Sequence, residues 1–489
     1  MGVLTKTKSV FLLMGRFINE ASSFVVFLVL DFLDFVLCFV FKMIDLIVEA
    51  EWKPCYCSSG REAITNNSGG KILLSEKGES NKIICLTSNK LRMEEISDTL
   101  YTRTSLLSNE FTRIVNQRRQ SYKAVTHVGM TMKSKFIIVN STLVEMLQGK
   151  IRRDQEPSRP VHRWSDCNCS FCASWTFTGT DTLFVRSQRP KDERAAKEDV
   201  LFIHGFISSS AFWTETLFPN FSESVMASYR LFAVDLLGFG QSPKPADSLY
   251  TIREHLNMIE RSVLEPHKVK SFHIVAHSLG CVLALALAVK NPAAVKSLTL
   301  LAPPYFPVPK GEQAAQYVMK QLAPRKIWPP IAFGASIACY YEHITRSVCF
   351  LISKNHRLWE FLTKLITRNR VKTFLMEGFF CHTHNAAWHT LHNVICGSAG
   401  KFGEYLDAMR DLNCDVNVIH GNDDELIPVE CSHHVKTKIP HATLKVIDKK
   451  DHITIVVGRQ KAFARELEEI WRNVTGIVLP VQKHLYFSN

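Results

Sequence analysis

The sequence predicts an α/β fold whose mostly parallel β-sheet is covered by helices on both faces. Six short apolar runs, rich in β-branched and aromatic residues, recur between residues 199 and 448, with helical patterns between them. Continuous apolar strands that alternate with helices are typical of parallel sheets buried on both faces. The six runs are "DVLFIHGF", "YRLFAVDLLG", "SFHIVAH", "VKSLTLLAP", "CDVNVIHG" and "ATLKVID".

One connection in this alternating pattern is too long for a simple crossover between strands. It covers residues 303–412 and is rich in aromatic residues and helical patterning. We therefore predict an inserted helical cap there, between a first core part at 171–302 and a second core part at 413–475. The amphipathic pattern "GRQKAFARELEEIWRNV" predicts a closing helix, and residues 476–489 form a C-terminal tail.

The first fifty residues predict a membrane-targeting helix. The stretch from Phe24 to Glu49 is strongly apolar, and as a helix it would extend roughly 39 Å, enough to cross a bilayer core. Four charged residues fall within one sector roughly 80° wide, so the helix is apolar around most of its circumference and carries one polar seam. These residues are Asp31, Asp34, Lys42 and Asp45.

Basic residues precede this helix and acidic residues follow it, a distribution that keeps the amino terminus cytosolic and exports the rest of the chain. Segment 1–50 is therefore expected to be a cleaved signal peptide or an uncleaved signal anchor. The alternative is an amphipathic helix that lies on a membrane or packs on the protein itself. Five Asn-x-Ser/Thr triplets agree with export.

Segment 51–170 is polar and turn-rich and shows no sustained helix or strand period, which predicts a variable, partly disordered accessory region. Five of the 14 cysteines cluster in "KPCYCSS" and "WSDCNCSFC" at its two ends. In an oxidising compartment such cysteines most simply form disulfides. A zinc site is the rival interpretation, but the spacing lacks two C-x-x-C pairs. We expect no metal and no cofactor.

The net charge of +13 at pH 7 suits anionic surfaces such as lipid headgroups. No zinc finger, ribonucleoprotein motif or helix-turn-helix pattern accompanies the basic residues, so nucleic acid is not an expected partner.

The third apolar run ends in a motif that predicts a nucleophile. "FHIVAHSLG" passes from a strand directly into a long apolar helical pattern, which puts Ser278 at a sharp strand-to-helix turn flanked by His277 and Gly280. Ligands of parallel sheets bind beyond the carboxyl ends of the strands, where this hydroxyl would project. The usual pattern is Gly-x-Ser-x-Gly. Ala276 replaces the first glycine, and its added methyl group weakens the motif without abolishing the geometry.

The first run ends in His204-Gly205-Phe206, a pattern that suits an oxyanion hole. A glycine at this point lets the backbone N–H of Phe206 turn into the crevice, where it would pair with the N–H of Leu279. The glycine-rich stretch "VDLLGFGQS" after the second run is interpreted as a turn that shapes the edge of the sheet.

An acid and a histidine follow in the order expected after a catalytic serine. Asp424 lies three residues past the glycine that ends the fifth run, with Asp423 as the alternative acid, and His452 lies in the loop after the sixth run. The order Ser278, Asp424, His452 matches a hydrolase triad in which histidine takes the serine proton and aspartate orients the imidazole.

A histidine-rich stretch, "CHTHNAAWHTLHN", lies in the predicted cap. No nearby carboxylates or cysteines complete a clear ligand set, so packing is favoured over a metal site. If the cap covers the serine, some of these histidines could instead line an acyl pocket. They are His382, His384, His389 and His392.

With these residues in place, the sequence resembles the BODYGUARD family of plant α/β-hydrolases over nearly the whole chain. The segments that carry the resemblance include "EWKPCYC", "RWSDC", "AHSLG", "DELIPVEC" and "DHITIVVGRQK". The resemblance implies an exported serine hydrolase of lipid acyl esters that is needed to form the plant cuticle, and the family is commonly labelled probable lysophospholipase. It implies a location at the cell wall or plasma membrane of epidermal cells, secreted or anchored, with the catalytic domain outside.

Three functions therefore follow from the sequence. The leading one is a serine carboxylic-ester hydrolase or transacylase whose partners are a lipid acyl-ester substrate and a membrane or cell-wall surface. A carbon–carbon bond hydrolase could use the same triad. The third is a non-catalytic receptor or scaffold on a hydrolase fold, although a pure binder does not need all three triad residues.

Overall fold

The computed structural model describes most of the chain beyond residue 163 and isolated parts before it. The described residues are 2–49, 82–84, 90–92, 96–101, 163–167, 172, 182–192, 196, 198–245, 248–368, 373–412 and 414–475. They divide into two compact units, each treated separately below. The N-terminal unit comprises Met1–Asn168, Pro245–Leu249 and Ala315–Asn355, and the sheet unit comprises Cys169–Lys244, Tyr250–Ala314 and His356–Asn489.

The strands form one small sheet in the N-terminal unit and one large sheet in the sheet unit. The small sheet pairs β1 (Lys82–Ile84) with β2 (Lys90–Arg92). The large sheet has seven strands in the order β3-β5-β4-β6-β7-β8-β9. Its members are β3 (Val185–Gln188), β4 (Glu198–Ile203), β5 (Tyr229–Val234), β6 (Phe272–His277), β7 (Val295–Leu301), β8 (Asp415–Gly421) and β9 (Thr443–Ile447).

Six strands, β4 to β9, run parallel to one another, and β3 pairs antiparallel with β5 at one edge. These six are the six apolar runs, so the predicted parallel α/β architecture is confirmed. The inner strands are apolar without alternation because helices cover both faces. Every side chain of β4 and β6, for example, is buried.

Fourteen α-helices lie in the described residues, together with short 3₁₀ turns at Asp98–Tyr101 and Phe218–Asn220. Two of them, α4 and α11, continue into π-helical turns at Glu260–Leu264 and Leu391–Cys396. The helices are α1 (Gly2–Glu49), α2 (Ala211–Thr214), α3 (Glu223–Ser228), α4 (Ile252–Ile259), α5 (Leu279–Lys290), α6 (Ala314–Leu322), α7 (Pro330–Tyr340), α8 (Glu342–Ser353), α9 (His356–Ile366), α10 (Thr373–Phe380), α11 (His384–Thr390), α12 (Ala399–Arg410), α13 (Glu430–Lys438) and α14 (Gln460–Thr475).

Helix α5 lies in the centre of the sheet unit. It is apolar around its whole circumference, and its residues from Leu279 to Ala288 are buried. Phe402 and Leu406 of α12 belong to the same apolar cluster on this face of the sheet. A helix enclosed in this way cannot shift, so its first turn and the residue before it are held rigidly.

The opposite face of the sheet is covered by the predicted closing helix, α14. Phe463, Leu467 and Trp471 of this helix are fully buried, together with Phe202 of β4 and Trp213 of α2. Aromatic rings dominate this layer, with the ring centroids of Phe202 and Trp213 5.6 Å apart. The strands are therefore clamped between two apolar layers, as the sequence pattern requires.

The segment 303–412, predicted as a helical cap, contains α6 to α12 in the described residues. Its residues 315–355 cluster with the N-terminal unit and the remainder with the sheet unit. Helix α1 covers most of the predicted targeting segment 1–50, and over Asn19–Glu49 it is long and apolar enough to cross a membrane. Cys55, Cys57 and Cys169 lie outside the described residues, so the disulfides of the clustered cysteines stay a prediction.

The buried imidazole of His255, in α4, makes the stability of the fold depend on pH. Its ring is fully buried, and neither ring nitrogen has a hydrogen-bond partner among the described residues. Burial, with the nearby His204, lowers the pKa of His255 to about 3 from the ordinary 6.5. Because protonation then favours the unfolded chain, this residue costs stability as the pH falls from about 6.5 towards 3.

We predict that His255→Leu leaves the free energy of unfolding unchanged or higher at pH 7, since two unpaired nitrogens are removed. At pH 5 the variant gains about 2 kcal/mol relative to the parent chain, because the penalty for a proton on the buried ring is gone. Urea titrations of both proteins at pH 7 and pH 5 measure the difference. An equal loss of stability on acidification in both proteins would contradict the prediction.

Candidate active site

Ser278 lies in the turn between β6 and α5, with an unusual backbone conformation. Its φ is 53° and its ψ is −121°, values that a residue with a side chain adopts only when its surroundings hold it there. The backbone N–H of Ser278 donates to the carbonyl of Leu301 on β7 (2.8 Å), and the N–H of Cys281 donates to the carbonyl of Ser278 (2.9 Å). The strand, its neighbour and the helix together keep the serine at the carboxyl end of the sheet.

The two glycines predicted to support this turn are needed for close packing. A Cβ at Gly280 would lie 2.7 Å from the carbonyl oxygens of Ile203 and His204, which leaves no room for a side chain. A Cβ at Gly205 would lie 3.2 Å from the Cβ of Ser278. The end of β4 therefore lies directly against the serine, and Ala276, two residues before it, is fully buried in β6.

His204 is a buried, neutral residue that orients the backbone beside the serine. The N–H of Leu236 donates to its Nε2 (2.9 Å), so Nδ1 carries the proton and donates to the carbonyl of Gly205 (2.7 Å). Burial lowers the pKa of His204, although the charge of Asp235 and the bond to Gly205 oppose this. In a trans peptide the next N–H, that of Phe206, points the opposite way from the Gly205 carbonyl.

Asp424 lies at the end of β8 in direct contact with His452. Its Oδ1 accepts hydrogen bonds from the N–H groups of Leu426 (2.9 Å) and Ile427 (2.8 Å), and its Oδ2 lies 2.6 Å from Nδ1 of His452. Asp423, the alternative acid, is exposed, whereas Asp424 is buried. Of the two acids, it is therefore Asp424 that contacts the imidazole.

The environment of Asp424 favours its ionised form. Burial alone would raise the pKa of this carboxyl, but hydrogen bonds from His420 and His452 and the N–H of Ile427 outweigh it and lower the pKa. An ionised acceptor requires a proton on Nδ1 of His452, which leaves Nε2 of that ring as the nitrogen able to take a proton.

His277 ties the loop that carries His452 to the serine turn. Its Nε2 donates to the backbone carbonyl of His452 (2.8 Å), and the centroids of the two imidazole rings lie 4.6 Å apart. The other side of the ring stacks on Phe212 at 5.2 Å. Burial, reinforced by the neighbouring His452, lowers the pKa of His277 to about 3, so this ring stays neutral. The residue preceding Ser278 therefore positions the backbone of His452.

His420 is a site residue that the sequence analysis missed. This fully buried imidazole lies in β8, with Nε2 2.9 Å from the carbonyl of Ile427 and 3.2 Å from Oδ2 of Asp424. Its Nδ1 lies 2.6 Å from the hydroxyl of Ser432. His420 therefore bonds both the carboxylate and the loop that carries it. The available signal was a histidine near the end of the fifth apolar run, four residues before the acid.

The loops that carry Asp424 and His452 are joined by their backbones. The N–H of Asn422 donates to the carbonyl of Ile447, and the N–H of Asp423 donates to that of Lys450, both at 2.9 Å. A Cβ at Gly421 would collide with the carbonyl oxygen of Lys450. The absence of a side chain at this position therefore lets the two loops approach closely.

The glycine-rich turn and the histidine-rich stretch noted in the sequence both have structural contacts in the sheet unit. Asp235 accepts hydrogen bonds from the N–H groups of Ser210 (2.5 Å) and Gln241 (2.7 Å), so the glycine-rich turn after β5 is held by its own acid. The four histidines of the histidine-rich stretch are buried. The ring of His392, for example, lies 4.4 Å from that of Trp388, and burial lowers its pKa to about 3.

Comparison with known proteins places this arrangement in a family. A family model described as the alpha/beta hydrolase fold matches residues 200–325. "Probable lysophospholipase BODYGUARD 3" from Arabidopsis thaliana is 57% identical over 96% of this chain and 98% of its own length. "Probable lysophospholipase BODYGUARD 1" from the same plant is 56% identical over 94% and 98%. The chain belongs to the BODYGUARD family.

This membership confirms the predicted resemblance and the α/β-hydrolase fold with one N-terminal apolar helix. BODYGUARD proteins are α/β hydrolases, and hydrolase chemistry is the activity that the comparisons support for this chain. The fold model ends at residue 325. Asp424 and His452 lie beyond it, within the longer region shared with the BODYGUARD proteins.

We predict that Gly421→Ala lowers the free energy of unfolding by about 2 kcal/mol, because the new methyl group forces the backbones of the two loops apart. Thermal unfolding followed by circular dichroism measures the loss. Gly334→Ala is the matched control, since its Cβ would meet no described atom within 4 Å on α7. Alanine there should raise helix stability slightly. Equal melting temperatures for both variants would contradict the proposed close approach.

Proposed function

We propose that this BODYGUARD protein is a serine hydrolase or transacylase of lipid acyl esters, with Ser278 as nucleophile, His452 as general base and Asp424 as the orienting acid. The observation that carries the proposal is the 2.6 Å contact between Asp424 and His452, in a loop that His277 ties to the serine turn. Three side chains from distant parts of the sequence thus belong to the carboxyl end of one sheet.

In the proposed reaction His452 takes the proton of the Ser278 hydroxyl through Nε2 as the oxygen attacks the ester carbonyl. Asp424 keeps the proton of the imidazole on Nδ1 and stabilises the imidazolium that forms. His452 then gives the proton to the leaving alcohol, and the acyl group stays on the serine. Water attacks the acyl-enzyme in hydrolysis, and the hydroxyl of a second lipid attacks it in transacylation.

The negative charge that develops on the ester oxygen needs donors that are already in place. We assign this role to the backbone N–H groups of Phe206 and Leu279. Two features support the assignment. His204 holds the Gly205 carbonyl, which orients the peptide that bears the N–H of Phe206. Leu279 is the first residue of α5, where the helix dipole favours negative charge.

A lipid ester is the substrate class that we propose. The name of the two Arabidopsis relatives, probable lysophospholipase, supports it. A membrane location is compatible with α1, whose outward side chains, such as Phe24, Phe39 and Ile47, are apolar and exposed. By the family resemblance we further propose that the catalytic domain acts outside epidermal cells, at the plasma membrane or wall, in formation of the cuticle.

We predict that the purified full-length protein releases free acid from lysophospholipids, monoacylglycerols or hydroxy-fatty acyl glycerols, or transfers the acyl group between them. Ser278→Ala should reduce turnover by on the order of 10⁶, to the background level. Chromatography of products formed from each lipid class, with the alanine variant as blank, identifies the substrate and the acyl acceptor.

A fluorophosphonate probe separates an enzyme from a scaffold without knowledge of the substrate. The probe should label the parent chain and fail to label Ser278→Ala. A parent chain that is folded but unlabelled would favour the receptor or scaffold function. Labelling without ester turnover, together with cleavage of a carbon–carbon bond substrate, would favour the carbon–carbon bond hydrolase.

Asp424 and Asp423 provide a matched pair of neighbouring acids. We predict that Asp424→Asn lowers kcat by about 10³-fold or more, because the amide cannot hold the imidazole in the same tautomer. Asp423→Asn, at an exposed position, should change kcat by no more than about twofold. Both variants lose one negative charge, so initial rates on the same ester separate the contact with His452 from a general charge effect. Equal losses would refute the assignment.

A further inference from the structure

Helix α1 buries its three aspartates and exposes many of its apolar side chains. Asp31, Asp34 and Asp45 are only 7%, 3% and 2% exposed, whereas Phe24 and Ile47 are 66% and 76% exposed. A surface helix of a water-soluble protein has the opposite arrangement. The polar seam that the sequence predicts is therefore covered by protein, and the apolar remainder of the helix is open to a lipid phase.

Asp45 is paired with Arg346 of α8. The two guanidinium NH₂ groups donate to the two carboxylate oxygens at 2.6 and 2.8 Å, and the indole N–H of Trp164 donates to Oδ1 at 2.6 Å. The guanidinium also lies over the ring of Phe41 at 4.5 Å. A two-pronged ion pair between aromatic rings, buried on both sides, is a specific contact rather than a chance encounter of surface charges.

Asp34 caps the start of α8. Its Oδ1 accepts the backbone N–H groups of His343 (2.9 Å) and Ile344 (3.0 Å), which have no carbonyl partner inside the first turn of a helix. Its Oδ2 lies 3.3 Å from Nδ1 of His343. The cap residue of α8 itself, Tyr341, makes no side-chain cap hydrogen bond. The side chain that accepts these N–H groups thus comes from α1, about 300 residues earlier, although α8 has an acid of its own, Glu342, in its first turn.

Two further groups extend the same contact along α1. Asp31 accepts the hydroxyl of Tyr341 (2.9 Å) and lies 3.4 Å from the guanidinium of Arg325. The hydroxyl of Ser23 accepts the N–H of Ile327 at 3.1 Å. From Ser23 to Asp45, polar groups that face one side of α1 therefore have partners between residues 164 and 346.

We propose that α1 is retained in the mature protein as an uncleaved anchor, and that its polar seam is the docking surface for α8 and for the residues just before α7. Removal of α1 would leave the guanidinium of Arg346 without its carboxylate and the hydroxyl of Tyr341 without the acceptors that α1 provides. It would also remove the carboxylate that accepts the first N–H groups of α8. A leader that is cut off needs only an apolar stretch and gains nothing from acids matched to distant residues. A retained α1 can therefore pack on the protein with its polar side and anchor the chain in a membrane with its apolar side.

The first test asks whether α1 survives maturation. The full-length chain is expressed in plant secretory cells with one epitope tag at each end, and the glycans are removed before blotting. One species should carry both tags, and mass spectrometry should find peptides from before residue 50 in it. A mature chain that has lost the N-terminal tag and begins beyond residue 49 would overturn the proposal.

The second test asks whether the seam holds α1 in place. A protease site is inserted between Ser58 and Ser59, the detergent-solubilised protein is cut, and the C-terminal tag is used to recover the large fragment. The α1 fragment should co-purify with it. Arg346→Asp should reduce the recovered α1 fragment by at least about tenfold, since two acids then face each other in a buried site.

The exchanged pair Asp45→Arg with Arg346→Asp distinguishes a lost contact from a misfolded chain, because it should restore recovery of the α1 fragment. Arg357→Asp, the same charge change at an exposed position of α9, is the control and should leave recovery unchanged. Separation of α1 from the parent chain, or equal recovery with Arg346→Asp, would refute docking through the seam.

Discussion

The backbone at Ser278 is the constraint on which the rest of the candidate site depends. A residue with a side chain is held at a φ of 53° because β6 is paired with strands on both sides and α5 is buried from its first turn. The cost of such a conformation is of order 1–3 kcal/mol, and packing of the surrounding sheet and helix offsets it. Gly280 and Gly205 lack side chains because the end of β4 must pass close to this turn.

Three histidines connect that turn to the other parts of the site. His204 orients the Gly205 peptide, His277 holds the carbonyl of His452, and His420 bonds both Asp424 and its loop. Burial keeps the pKa of His204 and His277 low, so these two remain donors and acceptors of fixed direction when the pH changes. Nδ1 of His452 faces the carboxylate of Asp424, whose lowered pKa keeps it ionised.

The sequence predicted the features that depend on residues close together in the chain, such as the strands and the residues that follow them. The six apolar runs form six strands, and Ser278, Asp424 and His452 each lie within five residues of the carboxyl end of a strand, so topology brings them to one edge of the sheet. The role of His420 depends on a loop that folds back over its own strand, and no periodicity reveals that. The polar seam on α1 is different in one respect, because the spacing of Asp31, Asp34 and Asp45 predicts the seam itself but not the residues that it contacts. Their partners lie about 300 residues away in a segment whose helices gave no pairing signal.

In the proposed membrane anchor, the same acids determine how α1 is oriented about its axis in the bilayer. An unpaired carboxylate at the centre of a spanning helix costs about 2.5–3.5 kcal/mol on insertion scales, and three of them on one side would disfavour a lipid-facing seam strongly. Pairing with Arg346, Tyr341 and the amino end of α8 removes that cost only for the side that faces protein. The exposed apolar side must then face the lipid. A helix that is apolar enough to anchor the chain can therefore also carry specific polar contacts, because the two properties occupy different sides.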